Sequence, residues 1–398
     1  MAPENVQPLF TPLKIGDITI KNRITMSALT RNRAENTYPT DLIKEYYVQR
    51  AGAGLIVTEG ILVTRQGTEW PHAPGLWDDK HVEGWKSIVD AVHEAGTKIY
   101  AQLWHGVYFI LITWIRYLTL DLYVVGRAAH PDMPEQKLAG TPVYAPSAIA
   151  ARGGKFRILP GAPGYVTPTA IDDPRKIIAQ FKHAAVNAKK AGFDGVELHG
   201  ANGYIVHQFL DSTSNKRTDE WGGSKENRAR FALELLKELI DVFGKNVAVK
   251  VSPAGGYNDM GMPLDETLDT YSYYFSELDK LGLAYITLVR YTPVMDAVYD
   301  GVPRAIQHDV LASYRPYIKN TPLILNGGVT PEEGAELVKE GKIDAISIGF
   351  NWITHPDLVK RVEHGKPLDN VPDIPHLQTN KTSGDWRTGY TDYPVAVY

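Results

Sequence analysis

Residues 322–350 read PLILNGGVTPEEGAELVKEGKIDAISIGF, and they carry the repeating pattern of the chain. The apolar run Pro322–Gly328 is followed by an amphipathic stretch, Pro331–Glu340, and then by a second apolar run, Ala345–Phe350. Short apolar runs that alternate with helical patterns are typical of parallel strands connected by helices. This stretch therefore predicts a strand–helix–strand unit.

The same alternation extends over most of the chain. The predicted strands are Ile24–Thr30, Leu55–Leu62, Lys98–His105, Gly195–Gly200, Val247–Pro253, Ala284–Arg290, Pro322–Gly328 and Ala345–Phe350. The predicted helices are Asp41–Ala51, His81–Ala95, Asp173–Ala191, Asn227–Phe243, Glu266–Leu281, Ala305–Lys319, Pro331–Glu340 and Pro356–His364. Eight strands in this arrangement predict an α/β fold, a TIM (β/α)8 barrel. An open doubly wound sheet is the alternative, but no Gly-x-Gly-x-x-Gly follows an early strand. A hairpin pattern at Leu13–Ile20 is expected to cap the N-terminal mouth of the barrel.

Composition excludes several classes of protein. The 398 residues are 43% hydrophobic and 22% charged, which is ordinary for a globular chain and predicts one domain over residues 1–398. The net charge of −4 argues against a nucleic-acid partner. Because the chain has no cysteine, it has no disulfides or thiolate metal sites. The N-terminus lacks a signal-peptide pattern, and we expect a cytoplasmic protein with no membrane partner.

Polar, aromatic and glycine residues lie at the ends of the predicted strands or just after them, where a barrel places its catalytic groups. They are Thr30, Arg31, Thr58, Glu59, Gln102, Trp104, His105, His199, Asn202, Tyr204, Lys250, Ser252, Arg290, Asn326, Gly327, Gly328 and Gly349. Glu197 and His199 share a strand face but lack a third ligand, so we expect no metal site. The glycines after the last two strands lie where barrels bind phosphate through backbone N–H groups. At this point a non-redox phosphate-binding enzyme, such as an isomerase or an aldolase, remains open.

One long motif identifies a family. Residues 199–228, HGANGYIVHQFLDSTSNKRTDEWGGSKENR, resemble the signature of the Old Yellow Enzyme family, in particular its plant and fungal ene-reductases. Further matches are Ala28–Arg31, Gln102–His105, Gly327–Gly328 and Asp392–Pro394, and the similarity covers nearly all of residues 8–396.

The resemblance implies a barrel that binds FMN and uses NADPH to reduce the C=C bond of small α,β-unsaturated carbonyl or nitro compounds. It implies that FMN is held non-covalently by Thr30, Gln102, Lys250, Asn326, Gly327, Gly328, Gly349 and Phe350. His199 and Asn202 are implied to bind the substrate oxygen. Tyr204 is implied to donate a proton after hydride transfer from flavin N5, and Trp104 and Tyr393 to shape the pocket. The protein is expected to be a monomer or a homodimer.

The chain departs from the family pattern in three places. Lys250 stands where the family often has Arg, and Phe350 stands where it usually has a phosphate-binding Arg. The family also runs directly from the motif ending at His105 to Val125–Arg127, whereas here the apolar segment 106–124 intervenes. We predict that this segment is an insertion after the third strand, either a retained intron translated in frame or a hydrophobic lid. A flavoprotein impaired by the insertion is therefore a further alternative.

Overall fold

The computed structural model describes residues 2–66, 70–105, 130–152, 165–293, 296–378 and 385–398. Its strands are β1 Leu13–Ile15, β2 Ile18–Ile20, β3 Ile24–Met26, β4 Leu55–Leu62, β5 Lys98–Trp104, β6 Tyr144–Ala145, β7 Thr169–Ala170, β8 Gly195–Gly200, β9 Val247–Val251, β10 Tyr285–Val289, β11 Val298–Tyr299, β12 Val302–Pro303, β13 Leu323–Asn326 and β14 Ala345–Ile348. Eight of them close into a parallel barrel in the order β3, β4, β5, β8, β9, β10, β13, β14 and back to β3. The predicted (β/α)8 barrel is confirmed.

Helices surround the barrel and cover its outer face. They are α1 Asp41–Gln49, α2 Asp79–Glu94, α3 Pro134–Ala139, α4 Pro174–Lys190, α5 Ile205–Leu210, α6 Lys225–Phe243, α7 Leu264–Leu278, α8 Val310–Tyr314, α9 Pro331–Lys339, α10 Asn351–Thr354 and α11 Leu358–Glu363. Their apolar faces and the outward side chains of the strands form the main core, which includes Trp85, Phe231 and Tyr274. Burial of these faces stabilises the barrel through the hydrophobic effect.

The predicted helix Ala305–Lys319 is largely wrong. Its α-helical part, α8, begins after Asp309, whose side chain accepts a hydrogen bond from Ala312 N at 3.0 Å. It is followed at Arg315 by a short 3-10 turn that contains Pro316, which has no N–H to continue an α-helix. Upstream, Ala305 N donates to Asp296 Oδ1 at 2.8 Å, so this backbone is bound to the residue before the β11–β12 hairpin instead of forming a helix.

Several predicted strands end early, and their last residues turn into the loops above the barrel. β13 ends at Asn326, because Gly327 and Gly328 have φ values of 100° and 71°. Only glycine adopts such left-handed backbone easily. β3 ends at Met26, so Thr30 lies in the loop that follows it. The residues after the strands therefore form irregular loops at the carboxyl face of the barrel.

The opposite mouth is closed by the hairpin of β1 and β2, as predicted. Ile15 and Ile20 are fully buried against residues inside the barrel that include Tyr100 and Tyr285. The turn requires glycine at residue 16, because its φ is 54° and an added Cβ would lie 2.5 Å from Lys245 O. Closure at this end leaves the carboxyl face as the open side.

Among the residues in the described ranges, no helix is both long and apolar enough to span a bilayer. The predicted insertion, residues 106–124, lies outside those ranges, and its assignment as an insertion stays a prediction.

Candidate active site

A cavity of about 280 Å³ opens at the carboxyl ends of the barrel strands. Its lining contains residues from the ends of all eight barrel strands or from the loops that follow them. They are Ser27, Ala28, Leu29, Thr30, Gly60, Gln102, Trp104, His199, Asn202, Tyr204, Lys250, Ser252, Gly255, Gly256, Tyr257, Val289, Arg290, Tyr291, Thr292, Asn326, Gly327, Gly328, Gly349 and Phe350. With the exception of Tyr393, every residue that the family resemblance implied for the site lies here.

The floor of the cavity holds a buried cation and a buried amide. Lys250 Nζ donates to Ser27 Oγ at 2.9 Å, and Gln102 Nε2 donates to Glu197 Oε1 at 2.7 Å. Burial lowers the pKa of Lys250, and the carboxylate of Glu197 opposes that shift. A buried ammonium with one hydroxyl partner retains N–H donors for a ligand, which favours an electron-rich or anionic group above it.

His199 and Tyr204 form a polar pair above the floor. Their ring centroids are 4.5 Å apart in an edge-to-face arrangement. His199 Nδ1 is buried and has no hydrogen-bond partner within the described part of the chain. Burial, reinforced by the charge of Lys250, holds the pKa of His199 well below its usual 6.5. The imidazole is therefore neutral near pH 7, with one N–H donor and one acceptor nitrogen.

A tight turn fixes Asn202 beside this pair. Asn202 has a φ of 58°, a left-handed conformation that Asn tolerates better than most residues. Its backbone N donates to Ser252 Oγ at 2.8 Å, and its carbonyl accepts from Asn258 Nδ2 at 2.6 Å. The next residue, Gly203, has a φ of 72° and donates from its N to His207 Nδ1 at 3.1 Å. These contacts hold the turn that carries both Asn202 and Tyr204.

Trp104 forms an aromatic wall of the cavity. Its ring lies 5.6 Å from that of Tyr204, nearly perpendicular to it. Its Nε1 is buried without a hydrogen-bond partner in the described ranges. Gly60 makes room for the indole, since a Cβ at this position would lie 2.8 Å from Trp104 Cε3. Strand β4 has a bulge between Val57 and Gly60, which brings this glycine against the indole.

At the far end the glycines of the last two barrel strands connect the cavity to a second one. That outer cavity, about 660 Å³, shares Gly328, Gly349 and Phe350 with the first. Arg290 closes the turn here, donating from Nε to Gly327 O at 3.1 Å and from Nη2 to Glu333 Oε2 at 3.0 Å. Backbone N–H groups and glycine turns of this kind are suited to a phosphate.

Sequence comparison places the chain in a known family. Residues 8–110 and 116–369 match the profile of the NADH:flavin oxidoreductase / NADH oxidase family, which binds FMN. The chain belongs to the Old Yellow Enzyme family. The break between the two matched ranges falls within the predicted insertion.

Individual relatives of this Old Yellow Enzyme family member differ in their described activity. A probable flavin mononucleotide-dependent alkene reductase of Leishmania infantum is 34% identical, with 99% of each chain covered. A protein of Epichloe festucae var. lolii, described as a probable inactive reductase, is 35% identical, covering 98% of this chain and 95% of its own. The crystal structure of the Old Yellow Enzyme homologue of Zymomonas mobilis has a TM-score of 0.82 at 34% identity, covering 98% and 99% of the two chains.

These matches confirm the predicted family and its FMN cofactor with NAD(P)H as reductant, and they exclude the non-redox isomerase or aldolase. The residues of this chain fit an FMN. Nitrogens of His199 and Trp104 that find no hydrogen-bond partner among the described residues are buried at the cavity wall, and Lys250 and Gln102 offer donors at its floor. Glycine turns open toward the outer cavity, where a phosphate would lie.

Five predicted positions lie elsewhere: Tyr393 and the strand-end candidates Arg31, Thr58, Glu59 and His105 do not line the cavity. Tyr393 does not line the cavity; it packs in the apolar cluster that includes Trp104 and Phe350, and its hydroxyl accepts from Asp373 N at 2.8 Å. Arg31, a strand-end candidate, binds the C-terminal segment, donating to Leu377 O at 2.9 Å and Gly389 O at 2.6 Å. Because its guanidinium donates to these carbonyls, the Arg31 side chain does not line the cavity.

Sequence reasoning missed other lining residues, including Ser27, Gly60, Tyr257 and Tyr291. A signal existed for Gly60, because a glycine inside a strand pattern often marks a bulge or a close approach. Tyr257 and Tyr291 lie in irregular loops, where no periodic pattern indicates which side chain turns inward.

Proposed function

We propose that the chain is an FMN-dependent ene-reductase that uses NADPH to reduce the C=C bond of α,β-unsaturated carbonyl or nitro compounds. The observation that carries this proposal is the neutral, buried imidazole of His199, which packs edge-to-face on Tyr204 and lines one cavity with Asn202 and Lys250. Two hydrogen-bond donors and one phenol at a single point are the groups that reduction of an enone requires.

The cofactor would be held along the whole cavity. Thr30, Gln102 and Lys250 would hold the flavin ring, since they lie at the floor or its edge. The phosphate end would be held by Asn326, Gly327, Gly328, Gly349 and Phe350, largely through backbone N–H groups. When bound, FMN supplies the hydride that reduces the β-carbon of the substrate.

His199 and Asn202 would bind the carbonyl or nitro oxygen and stabilise the negative charge that develops on it. A neutral imidazole donates one hydrogen bond, and the Asn amide donates another. Preorganised donors of this kind in a dry site are each worth about 3 kcal/mol in the transition state. The left-handed turn at Asn202 is held by backbone hydrogen bonds, so it fixes the point from which the side-chain amide extends.

Tyr204 would donate the proton that completes the reduction at the α-carbon. A Tyr hydroxyl has an ordinary pKa near 10 and stays protonated at pH 7, whereas an exposed carboxylic acid would be ionised. Tyr204 is 1% exposed and lies against His199 and Trp104, close to the proposed oxygen site.

NADPH and the substrate would bind in turn, because each must reach the same flavin ring in this cavity to exchange a hydride with it. Trp104 would limit the substrate from one side, and Tyr393 would support that wall from behind. A cytoplasmic location and a monomeric or homodimeric state belong to the same proposal.

A visible spectrum of the purified chain tests this function. We expect a yellow protein that NADPH bleaches under anaerobic conditions, faster than NADH does, and that 2-cyclohexenone reoxidises with formation of cyclohexanone. A folded chain that stays colourless after incubation with excess FMN would contradict the proposal. Flavin that is bleached by NADPH but not reoxidised by any enone or nitroalkene would make the chain resemble the relative described as a probable inactive reductase.

Deleting residues 106–124 is expected to raise the soluble yield and the flavin content. The segment is a dense run of aromatic and aliphatic residues inserted directly after the Trp104 motif, and exposed apolar runs favour aggregation. Yield, bound flavin per chain and enone reduction are measured for both forms. A control form in which Gly and Ser replace the segment at equal length separates apolarity from length. Equal yield, flavin content and rate in all forms would remove the idea, and a loss of activity on deletion would favour the lid.

A further inference from the structure

Glu197 is a carboxylate inside the barrel that the proposed reaction does not use. It lies in the middle of β8, two residues before His199, and is only 2% exposed. Barrel interiors are filled mostly by branched apolar side chains. A buried carboxylate is costly unless hydrogen bonds and an opposite charge compensate it, so its partners indicate what it does.

The partners of Glu197 connect it to the floor of the active site. Its Oε1 accepts from Gln102 Nε2 at 2.7 Å, and its Oε2 accepts from Thr287 Oγ1 at 3.1 Å. Gln102 is paired with Glu197 across β5 and β8, and Lys250 is paired with His199 across β8 and β9. Burial raises the pKa of Glu197, while the charge of Lys250 and these hydrogen bonds oppose the rise.

A carboxylate accepts hydrogen bonds and does not donate them, which determines how Gln102 is oriented. The amide nitrogen of Gln102 must face Glu197, so its Oε1 and second N–H remain for the cavity that Gln102 lines. The pyrimidine ring of a flavin has an imide edge, an N–H between two carbonyl groups. One acceptor beside one donor is the complement of that edge.

We propose that Glu197 is a positioning residue that fixes the Gln102 amide in the one orientation able to pair with the imide edge of the flavin. The inference rests on the proposed function for the place of the ring. Glu197 also sets a negative charge beside Lys250, so the floor presents a compensated pair instead of a lone cation. Removing that charge therefore makes the bound flavin easier to reduce, because the reduced ring is more electron-rich.

The test compares the binding of FMN and of N3-methyl-FMN, which lacks the imide N–H. Affinities for the apoprotein are measured by flavin fluorescence, and the reduction potential of bound FMN by dye equilibration. We expect the wild-type chain to prefer FMN about 10-fold, the equivalent of one hydrogen bond. In Glu197→Gln the preference falls toward 1, because an amide satisfies either orientation of Gln102, and the potential becomes more positive.

Two further variants separate positioning from general damage. Thr287→Val removes the Thr287 hydrogen bond to Glu197 but leaves Gln102 and the cavity untouched, so it should keep the wild-type preference. Glu197→Asp keeps an acceptor-only group and should retain more of the preference than Glu197→Gln. Circular dichroism of each apoprotein checks the fold.

The outcomes are distinct. A Glu197→Gln chain with the preference and potential of the wild type overturns the role of Glu197 and leaves the proposed function standing. Equal losses in Glu197→Gln and Thr287→Val overturn it as well, because they indicate general disruption of the interior. A wild-type chain that binds FMN without preferring it over the methylated form contradicts the placement of the ring at Gln102, and one that binds no FMN contradicts the proposed function itself.

Discussion

Replacing Tyr204 with Phe is expected to lower the rate of enone reduction by about 100-fold or more, the usual value of a positioned general acid. The reduction of bound flavin by NADPH is expected to stay close to the wild-type rate, because that half-reaction needs no proton from Tyr204. The change removes one oxygen atom and leaves the ring packed against His199 and Trp104. Rapid-mixing absorbance measurements follow the two half-reactions separately.

Tyr291→Phe is the matched control. Tyr291 also lines the cavity, but its hydroxyl donates to Asp296 Oδ2 at 3.3 Å, so its loss should change neither half-reaction strongly. If Tyr204→Phe slows both half-reactions equally, the residue shapes the site and is not its acid. An unchanged rate of enone reduction would require water or another group to supply the proton.

Replacing His199 with Leu is expected to lower kcat/KM for the enone by about 100- to 1,000-fold, as the loss of one oxyanion donor does in other enzymes. Leu fills a similar volume without an N–H, so the effect reports the hydrogen bond to the substrate oxygen. His199→Asn restores a donor and should recover part of the loss. Apoprotein stability and bound flavin are measured alongside, because His199 also lines the cofactor cavity.

The pH dependence gives a second check on His199. Its lowered pKa means that the imidazole protonates only at a pH well below the ordinary value of 6.5. His199 should therefore cause no break near pH 6.5 in the wild-type pH–rate profile. Any break found there should persist in His199→Leu. A break there that does disappear in the variant would mean that the imidazole titrates normally and that bound ligand or solvent offsets its burial.

The sequence predicted the barrel well because strand and helix periodicities are local properties. Leu55–Leu62 and Gly195–Gly200 were predicted with the bounds that β4 and β8 have. The predicted helix Ala305–Lys319 is α-helical only over Val310–Tyr314, because Asp296, nine residues upstream, binds the backbone at its start. A helical pattern does not reveal such a competing tertiary hydrogen bond.

The site could be predicted in outline for a geometric reason. The strands of a parallel barrel all end at one face, so residues after them, such as Gln102, His199 and Lys250, must converge. Position along a strand does not tell which way a loop side chain turns. Arg31 follows a strand too, yet buried carbonyls of the C-terminal segment bind it, and Tyr393 is held by Asp373 N outside the cavity.

The sequence alone was enough to predict the repeating strands and helices, the hairpin cap and the family motif at residues 199–228. Each of these features depends on residues that are neighbours along the chain. Only the folded barrel brought Glu197 against Gln102 and made the His199 imidazole neutral. Both depend on burial and on partners from other strands. The spacing of residues along the chain does not show how polar the surroundings of a group are or which residue faces it across the barrel.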